Sequence, residues 1–196
     1  MLYKLGRAIF SWIFRLTLKI SVLGKENIPR QGGYILASNH LSNLDPILLG
    51  VVSTPRELHF MAKEELFKNP LAGFILRRVH AFPLKRDSAD LTAIKEAIRR
   101  VRKGQAILLF PEGTRQSAGK FGEPLPGVGF LAQKLNVPVI PALITGTDLA
   151  MPKGAKGIRP AKVAVRFGAQ IIVERRMAYR DISGQIMEAI RNLADA

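Results

Sequence analysis

Short apolar runs alternate with amphipathic helical segments along most of this sequence. YILAS (34–38), AILLF (106–110) and VPVIPALI (137–144) contain no charged residue, as is typical of strands buried on both faces of a sheet. Residues 88–103 place apolar side chains at helical spacing and are followed by Gly104. This alternation predicts a single α/β domain with a mixed, largely parallel sheet flanked by helices.

The same two periodicities predict the remaining elements. The predicted strands lie at 15–23, 34–38, 57–62, 80–84, 106–110, 137–144 and 161–168, and the predicted helices at 1–14, 46–52, 69–79, 88–103, 127–135 and 181–193. Asp45 is the predicted N-cap of the second helix, and Asp87 or Ser88 that of the fourth. The expected organisation is an amphipathic helix at 1–14 followed by one domain at 15–196.

Composition restricts the chemistry of the chain. The 196 residues include no cysteine, which excludes disulfides, thiolate metal ligands and a cysteine nucleophile. The three histidines do not have the spacing of a zinc site, so no structural metal is expected. The 30 Lys and Arg against 15 Asp and Glu give a net charge of +15, which favours a polyanionic partner such as an anionic membrane surface, a phosphorylated substrate or a nucleic acid.

The N-terminal segment has the pattern of a helix that lies in a membrane interface. Lys4, Arg7, Ser11 and Arg15 fall within one narrow arc at about 100° per residue. The candidate membrane residues on the rest of the surface are Leu2, Leu5, Ile9, Phe10, Trp12 and Ile13. A wide apolar face with aromatic residues and a basic stripe favours the interface, and the alternative is a helix packed on the core of the domain. The longest uncharged runs, 31–44 and 135–147, are shorter than the roughly 18 residues that span a bilayer.

The stretch SNHLSNLDP (38–46) places a histidine and an aspartate at the end of a predicted strand. His40 is a candidate general base and Asp45 the carboxylate that orients it. The alternative is a loop histidine near a helix cap, and chance alone produces this spacing in about one such chain in ten. A serine elbow is absent from the sequence, and nothing marks Ser42 as a nucleophile. The simplest use of the pair is therefore to deprotonate a substrate hydroxyl.

A second polar cluster, FPEGTR (110–115), follows another predicted strand. Parallel strands direct their carboxyl ends to one edge of a sheet, so this cluster and SNH are expected at the same edge. The guanidinium of Arg115 suits a phosphate monoester, Gly113 permits unusual backbone angles, and Glu112 can accept hydrogen bonds. The alternative is a Glu–Arg pair in a solvated loop.

The motifs NHLSNLD, FPEGTR and VPVIPA (137–142), in this order and spacing, resemble the glycerophospholipid acyltransferase family, most closely the 1-acyl-sn-glycerol-3-phosphate acyltransferases. The resemblance covers about residues 20–175. It implies that His40 is the general base and Asp45 its partner. The acceptor-binding residues that it implies are Glu112, Gly113, Thr114 and Arg115. AFPLKR (81–86) resembles the arginine motif of the family, which makes Arg86 a second phosphate ligand and adds Lys85 as a further candidate contact.

The resemblance implies transfer of a fatty acyl group from acyl-CoA or acyl carrier protein to the 2-hydroxyl of 1-acyl-glycerol-3-phosphate, giving phosphatidate. No cofactor is expected, and the implied location is the cytoplasmic face of a membrane, peripheral or monotopic, on an anionic surface. Alternatives are another lysophospholipid, a lyso-aminolipid or glycerol 3-phosphate as acceptor, or a non-enzymatic basic domain. Nucleic acid is not an expected partner, because the aromatic residues cluster in the N-terminal helix instead of among the basic residues. The oligomeric state is left open.

Overall fold

The computed structural model describes residues 2–85, 90–174 and 176–195. The helices are α1 (Leu2–Thr17), α2 (Asp45–Val52), α3 (Pro70–Arg78), α4 (Leu91–Arg102), α5 (Pro126–Leu135), α6 (Thr147–Ala150) and α7 (Tyr179–Asn192). The strands are β1 (Leu18–Leu23), β2 (Tyr34–Ser38), β3 (Leu58–Lys63), β4 (Ala81–Leu84), β5 (Ala106–Leu109), β6 (Val139–Thr145) and β7 (Ala161–Phe167). The predicted α/β class is confirmed.

Seven strands form one sheet in the order β1-β7-β6-β2-β5-β3-β4. Every neighbouring pair is parallel except β6 and β7, which run antiparallel. The most apolar strands, β2, β5 and β6, lie together at the centre, where helices cover both faces. The carboxyl ends of these three strands therefore meet at one edge of the sheet, which is called the carboxyl edge below.

Two apolar cores hold the helices against the sheet. Phe14 of α1 and Leu48 of α2 lie in the core on one face. Ala97 of α4, Leu131 of α5 and Ile186 of α7 lie in the core on the other face. The arrangement is the two-sided covering that parallel sheets require.

The boundaries that differ most from the prediction are the junction of α1 with β1 and the start of α4. The first strand begins at Leu18, not near residue 15, because α1 continues to Thr17, whose hydroxyl donates to the Ile13 carbonyl at 2.8 Å. Helix α4 begins at Leu91 with Asp90 as its N-cap, since the Asp90 carboxylate accepts from the amides of residues 92 and 93. The predicted caps, Asp87 and Ser88, lie outside the described residues.

Helix α1 is docked on the domain and still exposes an apolar ridge. Tyr3 and Phe14 are buried. Phe10 and Ile13, which the sequence assigns to the membrane, are half-buried and pack against the core, because the helix turns this side toward α2. The exposed apolar residues, defined here as the α1 ridge, are Leu2, Leu5, Ile9, Trp12 and Leu16. Within residues 2–85, 90–174 and 176–195, the structure contains no helix with the length and apolarity that crossing a bilayer needs.

Candidate active site

The two polar motifs lie side by side at the carboxyl edge. Strands β2 and β5 are parallel neighbours, and Leu109, the last residue of β5, pairs with Ala37, one residue before the end of β2. The main chain then joins the motifs directly, since the Gln116 amide donates to the His40 carbonyl at 2.8 Å. The juxtaposition predicted from strand order is therefore present in the fold.

His40 and Asp45 are in direct contact. His40 Nδ1 lies 2.9 Å from Asp45 Oδ2, and the carboxylate is fully buried, while the imidazole keeps 10% of its side-chain surface exposed. One face of the imidazole stacks on Phe110, with ring centroids 4.0 Å apart. The ring is thus fixed on one side by a carboxylate and on one face by an aromatic ring.

Asp45 does not cap α2 as the sequence predicts. Leu44 is the N-cap and Asp45 is the first helical residue, so its carboxylate turns back toward the loop that precedes it. Asp45 Oδ2 accepts from the amides of Leu41 and Ser42 at 2.7 and 2.8 Å, in addition to His40 Nδ1. A carboxylate oxygen that accepts from two main-chain amides is an acceptor toward the imidazole as well. Nδ1 therefore carries the proton of the neutral ring, and Nε2 has a free lone pair. Among the described residues, the buried Oδ1 has no hydrogen-bond partner.

Ser42 is committed to main-chain contacts. Its hydroxyl donates to the Met151 carbonyl at 2.8 Å and accepts from the Leu44 amide at 3.2 Å. The side chain is buried, and no base lies against its oxygen in these contacts. Ser42 therefore holds the His40 loop against the segment after β6, which is not the arrangement of an activated nucleophile.

Asn39, which the sequence reading did not single out, anchors the same loop. Its amide nitrogen donates to the Ile144 carbonyl at 2.9 Å, and its Oδ1 accepts from the Ile144 amide at 2.7 Å. Both bonds are buried and join the end of β2 to the neighbouring strand β6. The sequence does offer one signal: an asparagine, which can both donate and accept hydrogen bonds, stands directly after a buried strand, where an apolar residue would otherwise fit.

Glu112 is buried behind the histidine. Its Oε1 accepts from the His40 amide at 3.1 Å and its Oε2 from the Gly122 amide at 2.7 Å. Burial raises the pKa of the Glu112 carboxyl above its usual range, and these two amide donors partly oppose that rise. The structure therefore connects Glu112 to the main chain of the site, and its predicted contact with an acceptor stays a prediction.

The remaining predicted ligands occupy the loop surface. Gly113 has a φ of +66°, and a Cβ there would meet Leu125 at 2.6 Å, so the turn requires glycine. Thr114 is exposed and accepts from the Gln116 side chain at 3.3 Å. Arg115 is half-exposed and forms no ion pair within the described part of the chain, which leaves its guanidinium available.

The arginine motif is only partly described. Lys85 is exposed, and its ammonium lies 3.9 Å from a carboxylate oxygen of Glu64. Its amide donates to Asp90 at 2.9 Å. Arg86, the predicted second phosphate ligand, lies outside the described residues.

The chain belongs to the acyltransferase family, because the family model described as Acyltransferase matches residues 19–145. It is therefore an acyl-transferring enzyme. A Bacillus subtilis (strain 168) protein named 1-acyl-sn-glycerol-3-phosphate acyltransferase is 35% identical over 159 residues, which cover 80% of this chain and 77% of that protein.

Two further similarities agree with this assignment. A Streptococcus pneumoniae protein with the same name is 33% identical over 74% of this chain, which spans about half (53%) of that relative's length. The crystal structure of the 1-acyl-sn-glycerophosphate (LPA) acyltransferase PlsC from Thermotoga maritima superposes with a TM-score of 0.77 and 29% identity, covering 100% of this chain and 79% of that one. The predicted family is confirmed.

Proposed function

We propose that this enzyme transfers a fatty acyl group from an acyl thioester, either acyl-CoA or acyl carrier protein, to the 2-hydroxyl of 1-acyl-sn-glycerol-3-phosphate, giving phosphatidate. The observation that carries the proposal is the 2.9 Å contact between His40 Nδ1 and Asp45 Oδ2 beside the FPEGTR loop. The names of the three similar proteins support the acceptor class.

His40 acts as the general base. Its free Nε2 takes the proton of the 2-hydroxyl as the oxygen attacks the thioester carbonyl, and Asp45 stabilises the imidazolium that results. The tetrahedral intermediate then collapses, the carbon–sulfur bond breaks, and the imidazolium returns the proton to the departing thiolate. The products are an ester and a free thiol, so the atoms balance without a further reactant. No cofactor takes part, because the thioester is already activated.

The acceptor phosphate binds at the FPEGTR loop. The available guanidinium of Arg115 supplies a planar fork for the phosphate oxygens. Thr114 and the Gly113 turn line the same loop, while Arg86 and Lys85 add positive charge from the arginine motif. Glu112 helps to position His40 by accepting from its amide, and we propose that it also contacts the acceptor directly.

The enzyme works at an anionic membrane surface, peripheral or monotopic and on the cytoplasmic face. The α1 ridge is the contact, with Trp12 65% exposed and the basic residues Lys4 and Arg15 exposed beside it. An exposed tryptophan among leucines and a neighbouring basic stripe are typical of helices that lie in the interface. This position brings the active site to a substrate that is itself a membrane lipid.

A lipid-product assay with the purified protein tests the proposal. Several lysolipids and glycerol 3-phosphate are offered with each donor, and phosphatidate from lysophosphatidate is the expected main product. A faster reaction with another acceptor would overturn the substrate assignment but leave the assignment as an acyltransferase in place. His40→Ala should abolish transfer in a folded protein, and turnover within tenfold of wild type would remove the general-base role.

A further inference from the structure

Helix α3 and the turn before it carry a second exposed apolar ridge. This α3 ridge consists of Leu66, Leu71, Phe74 and Ile75, with exposed fractions of 52%, 70%, 49% and 44%. Four large apolar side chains within ten residues form a patch that the described part of the chain leaves open to solvent. Exposed apolar side chains grouped in this way are typical of an interaction site.

The ridge results from the way in which α3 packs. At about 100° per residue, Leu71, Phe74 and Ile75 share one side of the helix. Gly73 is buried on the opposite side, where a Cβ would lie 2.8 Å from the Phe67 carbonyl oxygen. The tight approach at Gly73 packs this side of α3 against the turn that contains Phe67, and the apolar side faces away from that contact.

Three cations lie near the α3 ridge, with the Arg77 guanidinium over the Phe67 ring, 5.3 Å from its centre. Lys68, Arg77 and Arg78 are exposed. The Arg78 guanidinium lies 4.8 Å from the centre of the Phe74 ring, where it extends the apolar surface and keeps its charge at the edge. An apolar ridge with basic residues at its edge complements an anionic lipid surface.

The α3 ridge and the α1 ridge belong to one side of the molecule. Almost all connections between parallel strands are right-handed, and such a connection from β3 to β4 places α3 on the sheet face that α1 and α2 cover. Direct contact supports this, because the Tyr3 ring of α1 stacks on His80, just after α3, with centroids 4.9 Å apart. The Tyr3 hydroxyl also accepts from the Leu58 amide at 3.0 Å, so the start of α1 is fixed to the strand that leads to α3.

We propose that the α3 ridge is a second membrane contact, which inserts into an anionic leaflet together with the α1 ridge while Lys68, Arg77 and Arg78 bind lipid phosphates. The inference rests on the proposed function, which brings the enzyme to a lipid acceptor. Two contacts in place of one fix the orientation of the domain on the bilayer, whereas α1 alone leaves it free to rotate about one helix.

The single tryptophan of the sequence, Trp12, makes a direct test simple. In the double variant W12F/F74W, the only indole is on α3, and its emission should shift to shorter wavelength when phosphatidylglycerol vesicles are added. In the matched control W12F/L91W, the indole sits on α4 at the opposite sheet face, at a position 64% exposed in wild type, and no shift is expected. If the variant binds the vesicles and the emission of its single indole does not shift, the proposal is overturned. The proposal is also overturned if acyl carrier protein, added without vesicles, produces the shift, because the ridge would then bind a protein.

Binding and catalysis are then measured separately. L71S/F74S should lower partitioning onto anionic vesicles about tenfold or more, and L91S should not. R77Q/R78Q should weaken binding to phosphatidylglycerol vesicles and not to phosphatidylcholine vesicles. Transfer to a short-chain lysophosphatidate that is monomeric in solution should be equal in L71S/F74S and wild type. If the wild type itself fails that reaction, the proposed function is wrong; if only the vesicle results fail, the membrane inference alone is wrong.

Discussion

Replacing Asp45 with asparagine tests the central contact of the site. In wild type, Oδ2 accepts from three donors, His40 Nδ1 and the amides of Leu41 and Ser42, all within 2.9 Å. A hydrogen bond to a charged group contributes about 1.5–3 kcal/mol and one between neutral groups about 0.5–1.5, so loss of the charge weakens these three bonds by about 3 kcal/mol in total. The new amide nitrogen takes the place of Oδ1, which is buried without a partner among the described residues, and this costs about 1–3 kcal/mol more.

The expected loss is therefore about 4–6 kcal/mol of unfolding free energy, measured by urea denaturation. Activity should fall further than stability alone explains, because a neutral amide oxygen orients the imidazole less strongly and does not stabilise the imidazolium that forms in the reaction. The corresponding change in a serine protease triad lowers kcat about 10⁴-fold. Acyl transfer is measured at a temperature where circular dichroism shows that the variant is folded. A folded Asp45→Asn enzyme with turnover within tenfold of wild type would refute the orienting role.

Three further changes test other parts of the structure. Arg115→Gln should raise the KM for the acceptor far more than it lowers kcat. The control Arg102→Gln, at an exposed arginine of α4, should change either constant little. An unchanged acceptor KM in Arg115→Gln would place the phosphate site elsewhere. Asn39→Ala removes both buried bonds to Ile144 and should lower the unfolding free energy by about 2 kcal/mol, measured by thermal or urea unfolding, and a neutral result contradicts the anchoring role. Burial, with nearby His80 and Arg100, lowers the pKa of His59 from 6.5 to about 3. The unfolded chain therefore binds more protons below pH 6.5, so wild type should lose stability from pH 7.5 to 4.5 more steeply than His59→Phe, and equal slopes contradict the assignment.

The contact between His40 and Asp45 could be predicted from sequence because the placement of both residues depends on local order along the chain. A histidine directly after a buried strand and an aspartate at the start of the next helix are both local features, and strand order brings the second motif to the same edge. The partners of Glu112 and Asn39 could not be predicted in this way. The Glu112 bond to the His40 amide joins positions 72 residues apart, and the Asn39 bonds to Ile144 join positions 105 apart, distances at which no periodicity carries information.

Helix α1 shows a second limit of the same kind. Its helical pattern was evident, but the side that faces the domain depends on α2, and only the packing shows that Phe10 and Ile13 lie against the core. The prediction that Asp45 caps α2 was wrong for a related reason. Its carboxylate can accept either from the first amides of α2 or from the amides of the preceding loop, and the sequence does not show which. The loop amides together with His40 supply three donors, whereas an N-cap usually receives one or two.

The Glu112 carboxylate has a mechanical consequence for the enzyme. Its Oε1 accepts from the His40 amide, and the Gln116 amide donates to the His40 carbonyl. Both main-chain groups of His40 are therefore bonded to the FPEGTR loop or the residue that follows it. These bonds couple the two loops, so we expect His40, the proposed base, and Arg115, the proposed phosphate ligand, to move together. On the proposed function, selectivity among acceptors then depends on the distance between the phosphate and the reacting hydroxyl of each acceptor.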